Sequence, residues 1–117
     1  MKGIFLTLLG LAAVVSSVEA RQQPAGNIQN GKRNFETYAC ASCHGYSGNG
    51  ASAMRVATTP RSLDSFIEYV RKPTRTMPPF ATETQIPTQT LRDIYAFLKS
   101  IPPPPDPKTI PLLQSAQ

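Results

Sequence analysis

The sequence predicts an all-α domain of three main helices followed by an extended, proline-rich tail. Three observations carry that expectation. Apolar residues recur at helical spacing in three separate stretches, and no run alternates apolar and polar residues as a half-buried strand would. After Ile101 four consecutive prolines open a segment that cannot continue a helix.

The chain opens with Met1-Lys2, a positive start, and Gly3 to Val15 is apolar apart from Thr7. Val18-Glu19-Ala20 then supplies the small-residue ending that a signal peptidase reads. Residues 1–20 are therefore expected to be a cleaved signal peptide. An uncleaved membrane anchor is the weaker alternative, because a bilayer span needs roughly 20 apolar residues and this run is shorter. Residues 21–117 are expected to be exported, periplasmic or otherwise outside the cytoplasm, with no membrane span after cleavage. Losing Lys2 and Glu19 removes one charge of each sign, so the formal net charge of +5 is unchanged. One small domain, 21–101, and a tail, 102–117, fit that length. A domain this small buries little apolar surface and leans on a disulfide, a metal or a cofactor.

The first helix is expected over about Asn27 to Ala41, with Asn27 as N-cap and Ile28, Gly31, Phe35 and Tyr38 near one face. The second starts after Ser62 as cap. Leu63, Phe66, Ile67 and Val70 share its inner face, and Pro73 stops it. The third is capped by Thr88, carries Leu91, Ile94, Tyr95, Leu98 and Ile101 on one side, and ends before Pro102. Residues 45–60 and 74–87 between them are irregular. The tail is expected to be extended polyproline and then frayed. No internal repeat is visible. Three short helices cannot bury these faces against one another while long loops stay ordered, and a flat apolar object between them would solve that problem.

All the thiols and the single imidazole of the chain fall within five residues, Cys40-Ala41-Ser42-Cys43-His44. Four chemistries compete for that spacing. A thioredoxin-like redox pair needs a βαβ context, and no strand pattern exists here. Tetrahedral structural zinc needs four ligands, and two thiols with an adjacent histidine leave the set incomplete. A disulfide closing so small a loop gains little and makes His44 a coincidence. The fourth is covalent haem attachment, which C-x-x-C-H signals. Cys40 and Cys43 form thioethers to the two vinyl groups, and His44 ligates the iron as proximal ligand. Export agrees with this reading, since such attachment takes place outside the cytoplasm. Haem c and its iron are thus the expected cofactor.

The sixth iron position points to Met77, in Arg75-Thr76-Met77-Pro78-Pro79-Phe80-Ala81. The two prolines fix the backbone beside the thioether, so little entropy is lost on ligation. Met/His is the axial pair of electron-carrying cytochromes. Met54 lies in a Gly/Ser/Ala-rich loop ten residues after His44 and is read as a loop or core gap-filler.

With these residues in place the chain resembles a class I monohaem cytochrome c over nearly all of residues 21–117. "GKRNFETYACASCHGYSGNGA" is similar to the first helix and haem-binding segment of small bacterial members. "YVRKPTRTMPPFA" resembles their methionine loop, and "LRDIYAFLKSIP" their C-terminal helix. The resemblance implies the cytochrome c fold, three main helices around one covalently bound haem, with the first and last helices crossing near right angles. By position, Gly31 and Phe35 would meet Ile94 and Phe97, glycine permitting the close approach. The chain departs from many relatives in lacking a Gly-Pro after the motif, so the sequence does not name the carbonyl that orients His44.

Arg55, Arg61, Arg71, Lys72 and Arg75 lie close together in the chain, opposed only by Asp64 and Glu68. Most are expected to form a solvated basic face. Arg55 and Arg71 are the candidates to pair with haem propionates, whose charge needs compensation where buried. The rest would steer a redox partner with an acidic docking surface; export argues against nucleic acid. The expected function is a one-electron carrier, passing electrons between a dehydrogenase and an oxidase or other acceptor, and not an enzyme by itself. The rival is a haem enzyme or gas-binding sensor with an open sixth position, which follows if Met77 does not ligate.

Overall fold

A computed structural model describes residues 25–114. The expected signal peptide, residues 1–20, lies outside the described residues, as does the extreme end of the tail. The elements are α1 (Ile28–Thr37), α2 (Cys40–His44), α3 (Leu63–Arg71), α4 (Thr88–Ser100), a 3-10 turn (Pro107–Thr109) and α5 (Pro111–Gln114). No strand occurs among the described residues, so the all-α class holds.

Asn27 caps α1 as expected, its side chain accepting the Asn30 N–H at 2.8 Å. The helix is shorter than its pattern suggested. It ends at Thr37, and Ala39 takes φ +59° in the left-handed region before α2 begins. That conformation carries a cost for a residue with a Cβ, and it divides the long helix expected over 27–41 into two. Ser62 caps α3 through the Ser65 N–H, and the helix stops two residues before Pro73. Thr88 does not cap α4. Pro87 occupies the cap position and offers no side-chain acceptor, and Glu83 serves instead. Its carboxylate accepts the Thr88 N–H at 2.8 Å and also the Thr88 hydroxyl, placing negative charge at a helix N-terminus.

The frame is α1 packed across α4, with α3 against α4 and α2 against α1. A Cβ on Gly31 would lie 1.9 Å from the Asp93 carbonyl oxygen and 2.8 Å from Phe97 Cβ, so only glycine allows this crossing. The Phe35 and Phe97 rings meet with centroids 5.7 Å apart. Around them Phe66, Val70, Leu91, Ile94 and Leu98 are buried, together with Ala41 from α2 and Ile86 from the α3–α4 loop. Ile28 departs from its expected face and is 45 % exposed in the first turn. Asp93, polar yet buried, accepts the Asn27 N–H at 2.8 Å and the Gln89 amide at 3.0 Å, which joins the start of α1 to α4. The four prolines carry no regular secondary structure, and the tail beyond them does. Asp106 caps a 3-10 turn, and Pro111 opens α5, a correction to the extended-then-frayed expectation. Proline is well suited to a first helical position because the N–H it lacks has no partner there.

Candidate functional site

Cys40, Cys43 and His44 share the single turn of α2. Gly45 ends the turn at φ +77°, its N–H returning to the Ala41 carbonyl at 2.8 Å. The loop that follows folds back onto the turn. Ala53 N–H donates to the Cys43 carbonyl and Gly50 N–H to the His44 carbonyl, both at 2.8 Å. These bonds satisfy the free carbonyls at the end of α2, and they bring the next carbonyl, that of Met54, to 2.8 Å from His44 Nδ1. A carbonyl only accepts, so Nδ1 carries the proton and the lone pair of the neutral ring sits on Nε2. A metal-ligating histidine is held in this way, by its second nitrogen.

Cys40 is partly buried and Cys43 exposed, and no disulfide joins them. Burial pushes the Cys40 thiol up to about 11; the neighbouring Cys43 adds to the rise and a backbone hydrogen bond opposes it. A redox-active C-x-x-C pair needs the opposite shift, toward thiolate. No group of three or more His, Cys, Asp or Glu side chains suited to a metal occurs among the described residues. Two thiols and a free imidazole nitrogen on one turn, with the imidazole fixed from behind, fit a planar group attached through both sulfurs and ligated through Nε2.

The second half of the candidate site lies between α3 and α4. Met77 is partly buried and packs against the same core cluster as Cys40. Phe80, three residues on, packs there too, and its N–H donates to the Val70 carbonyl at 3.1 Å. Met54, by contrast, leaves its side chain 75 % exposed, so it is a loop residue and not a core gap-filler.

The two arginines singled out in the sequence occupy different settings. Arg55 follows Met54 and donates to the Asn49 side chain and, at 3.2 Å, to the Pro102 carbonyl. With Tyr46, Asn49 and Phe97 it lines an open cleft of about 700 Å³ beside the proline run. Arg71 turns inward. One terminal nitrogen donates to the Phe80 and Thr82 carbonyls at 2.9 and 2.8 Å, the other to Glu83 and to the Thr88 hydroxyl at 2.9 and 3.2 Å. Arg61 lies over the Tyr69 ring at 4.2 Å. Sequence reasoning missed Glu83 and the Met54 carbonyl. A backbone acceptor leaves no mark in residue identity, and Glu83 sits in a stretch without periodicity.

Residues 26–98 match the family model described as "Cytochrome C oxidase, cbb3-type, subunit III". The matched span contains the Cys-His turn, the Met54 loop and Met77. No curated protein and no solved structure matches the chain.

Proposed function

Because the chain belongs to the family described as cytochrome C oxidase, cbb3-type, subunit III, a family of c-type cytochromes, we propose that it is an exported one-electron carrier with His44/Met77 ligation. Haem c supplies a one-electron couple at its iron. The chain supplies attachment, orientation and shelter. Cys40 and Cys43 hold the cofactor through thioethers, and His44 presents Nε2 to the iron. The observation that carries the reading is the bond from His44 Nδ1 to the Met54 carbonyl. It fixes the tautomer and the ring orientation, which leaves the Nε2 lone pair available to a metal.

The same bond bears on the sixth position. The Met54 backbone stands behind the imidazole, on the side away from Nε2, and so on the proximal side of any group ligated there. That favours Met77, the other methionine of residues 21–117, as the distal ligand. Its thioether is partly buried and followed by two prolines. A thioether is a soft ligand that stabilises Fe(II) and raises the reduction potential.

Export rests on the signal pattern of residues 1–20. Among the described residues no helix is long and apolar enough to cross a membrane. Lys72 and Arg75, exposed near the methionine loop, are the cations best placed to steer an acidic redox partner. Arg55 is the candidate partner of a haem propionate. A dehydrogenase as donor and an oxidase or other acceptor complete the reading, with electron transfer and not substrate turnover as the task.

Matured protein run on a denaturing gel tests the attachment and a redox titration tests the function. The expected result is haem that stays with the polypeptide and a reversible one-electron couple. Haem that leaves the denatured chain would overturn the attachment. A couple lost when carbon monoxide is admitted would favour the open-site rival.

A further inference from the structure

We infer that Arg71 is a positioning residue for the axial methionine, acting as a clasp that closes both ends of the loop carrying Met77. This rests on the reading of Met77 as iron ligand. The loop leaves α3 at Arg71 and returns at Phe80, where the carbonyl accepts from the Arg71 guanidinium at 2.9 Å and the N–H donates to Val70 at 3.1 Å. Both ends are thus tied to the last turn of α3, which removes most of the freedom an open loop would keep. The same guanidinium reaches on to the Thr82 carbonyl and Glu83, and Glu83 caps α4 through Thr88. One side chain therefore ties α3, the methionine loop and the N-terminus of α4 together.

The chemistry suits arginine and no other residue. Its side chain is only 14 % exposed while Glu83 remains 65 % exposed, so the guanidinium, not the ion pair, is the sheltered partner. Four acceptors are met by the two terminal nitrogens of one planar fork; a lysine ammonium is a point charge with three donors and cannot span them. Phe80 is separated from Met77 only by Pro78 and Pro79. Each proline restricts φ, so fixing the Phe80 carbonyl fixes, through two stiff residues, where the Met77 thioether sits. All four acceptors are met by the terminal nitrogens of Arg71, which argues against Arg71 as a propionate partner.

The test compares holoprotein of the wild type, Arg71→Ala, Arg71→Lys and Glu83→Gln. The readouts are the far-red sulfur-to-iron charge-transfer band, carbon monoxide binding to the reduced form, and the denaturation midpoint. The expected result for Arg71→Ala is a weakened band and carbon monoxide binding increased about tenfold or more, since a single hydrogen bond to a charged group is worth about a decade in equilibrium. Glu83→Gln should move the same way by less, because the two carbonyl contacts survive, and Arg71→Lys should not restore the wild-type band. An undiminished band and unchanged carbon monoxide binding in Arg71→Ala, with only the midpoint lowered, would overturn the inference and leave Arg71 a stability residue. If Arg71→Ala does not accumulate folded, Arg71→Lys decides, and a wild-type band in that variant overturns the clasp. A wild type without the band overturns the ligand reading itself.

Discussion

His44 Nδ1 donates to the carbonyl oxygen of Met54 across 2.8 Å. The bond exists because the loop after α2 returns two amides to the carbonyls of Cys43 and His44. The glycines and small residues between them let it turn so tightly. The contribution of Met54 is thus its backbone, and its exposed side chain is incidental.

Met54→Ala is accordingly expected to leave the visible spectrum and the reduction potential as they are, because the carbonyl remains. Loss of the far-red band in this variant would move the sixth ligand from Met77 to Met54. Deleting Ser52, which shifts the carbonyl while keeping Met54, should change the potential.

At the helix crossing, Gly31→Ala places a Cβ 1.9 Å from the Asp93 carbonyl oxygen. The helices must separate, and overpacking of this kind costs roughly 1–3 kcal/mol, at times more. Guanidinium unfolding of the holoprotein should show a clearly lower midpoint. An unchanged midpoint would mean that the crossing is looser than the backbone separation implies.

Replacing both thiols, Cys40→Ala with Cys43→Ala, removes the covalent attachment. The expected product is a molten or largely unfolded chain that binds hydrophobic dyes, because a domain this small depends on its cofactor for much of its core. A cooperative thermal transition near the midpoint of the holoprotein would contradict that.

Acid should loosen the cap of α4. The Thr88 hydroxyl and amide, and then Arg71, hold the Glu83 carboxyl below its usual range. A carboxyl depressed in the folded state adds stability above its unfolded value, and that stability is lost as pH falls through the folded one. Glu83→Gln should therefore be less stable than wild type at neutral pH, with the gap closing in acid. A gap that stays constant as pH falls would show that the Glu83 charge does not contribute.

Much of this was legible in the sequence. The Ser62 cap with Phe66 and Val70, and the Leu91, Ile94 and Leu98 face, follow from helical period, and those residues are buried as expected. Gly31 and Phe97 meet as the resemblance implied. The break at Ala39 was hidden because apolar spacing continues through it and alanine favours helix. Thr88 looked like a cap because threonine commonly is one, and Pro87 and Glu83 displaced it. The roles of Ile86, Asp93 and Arg71 depend on contacts between segments far apart in the chain, which no local pattern encodes.

His44/Met77 ligation is tested most directly by carbon monoxide binding to the reduced protein, wild type beside Met77→Ala. With a thioether filling the sixth position, the wild type should resist the gas at neutral pH and Met77→Ala should bind it readily. Avid binding by the wild type, equal to that of the variant, would contradict a closed electron carrier and point to an open-site haem protein.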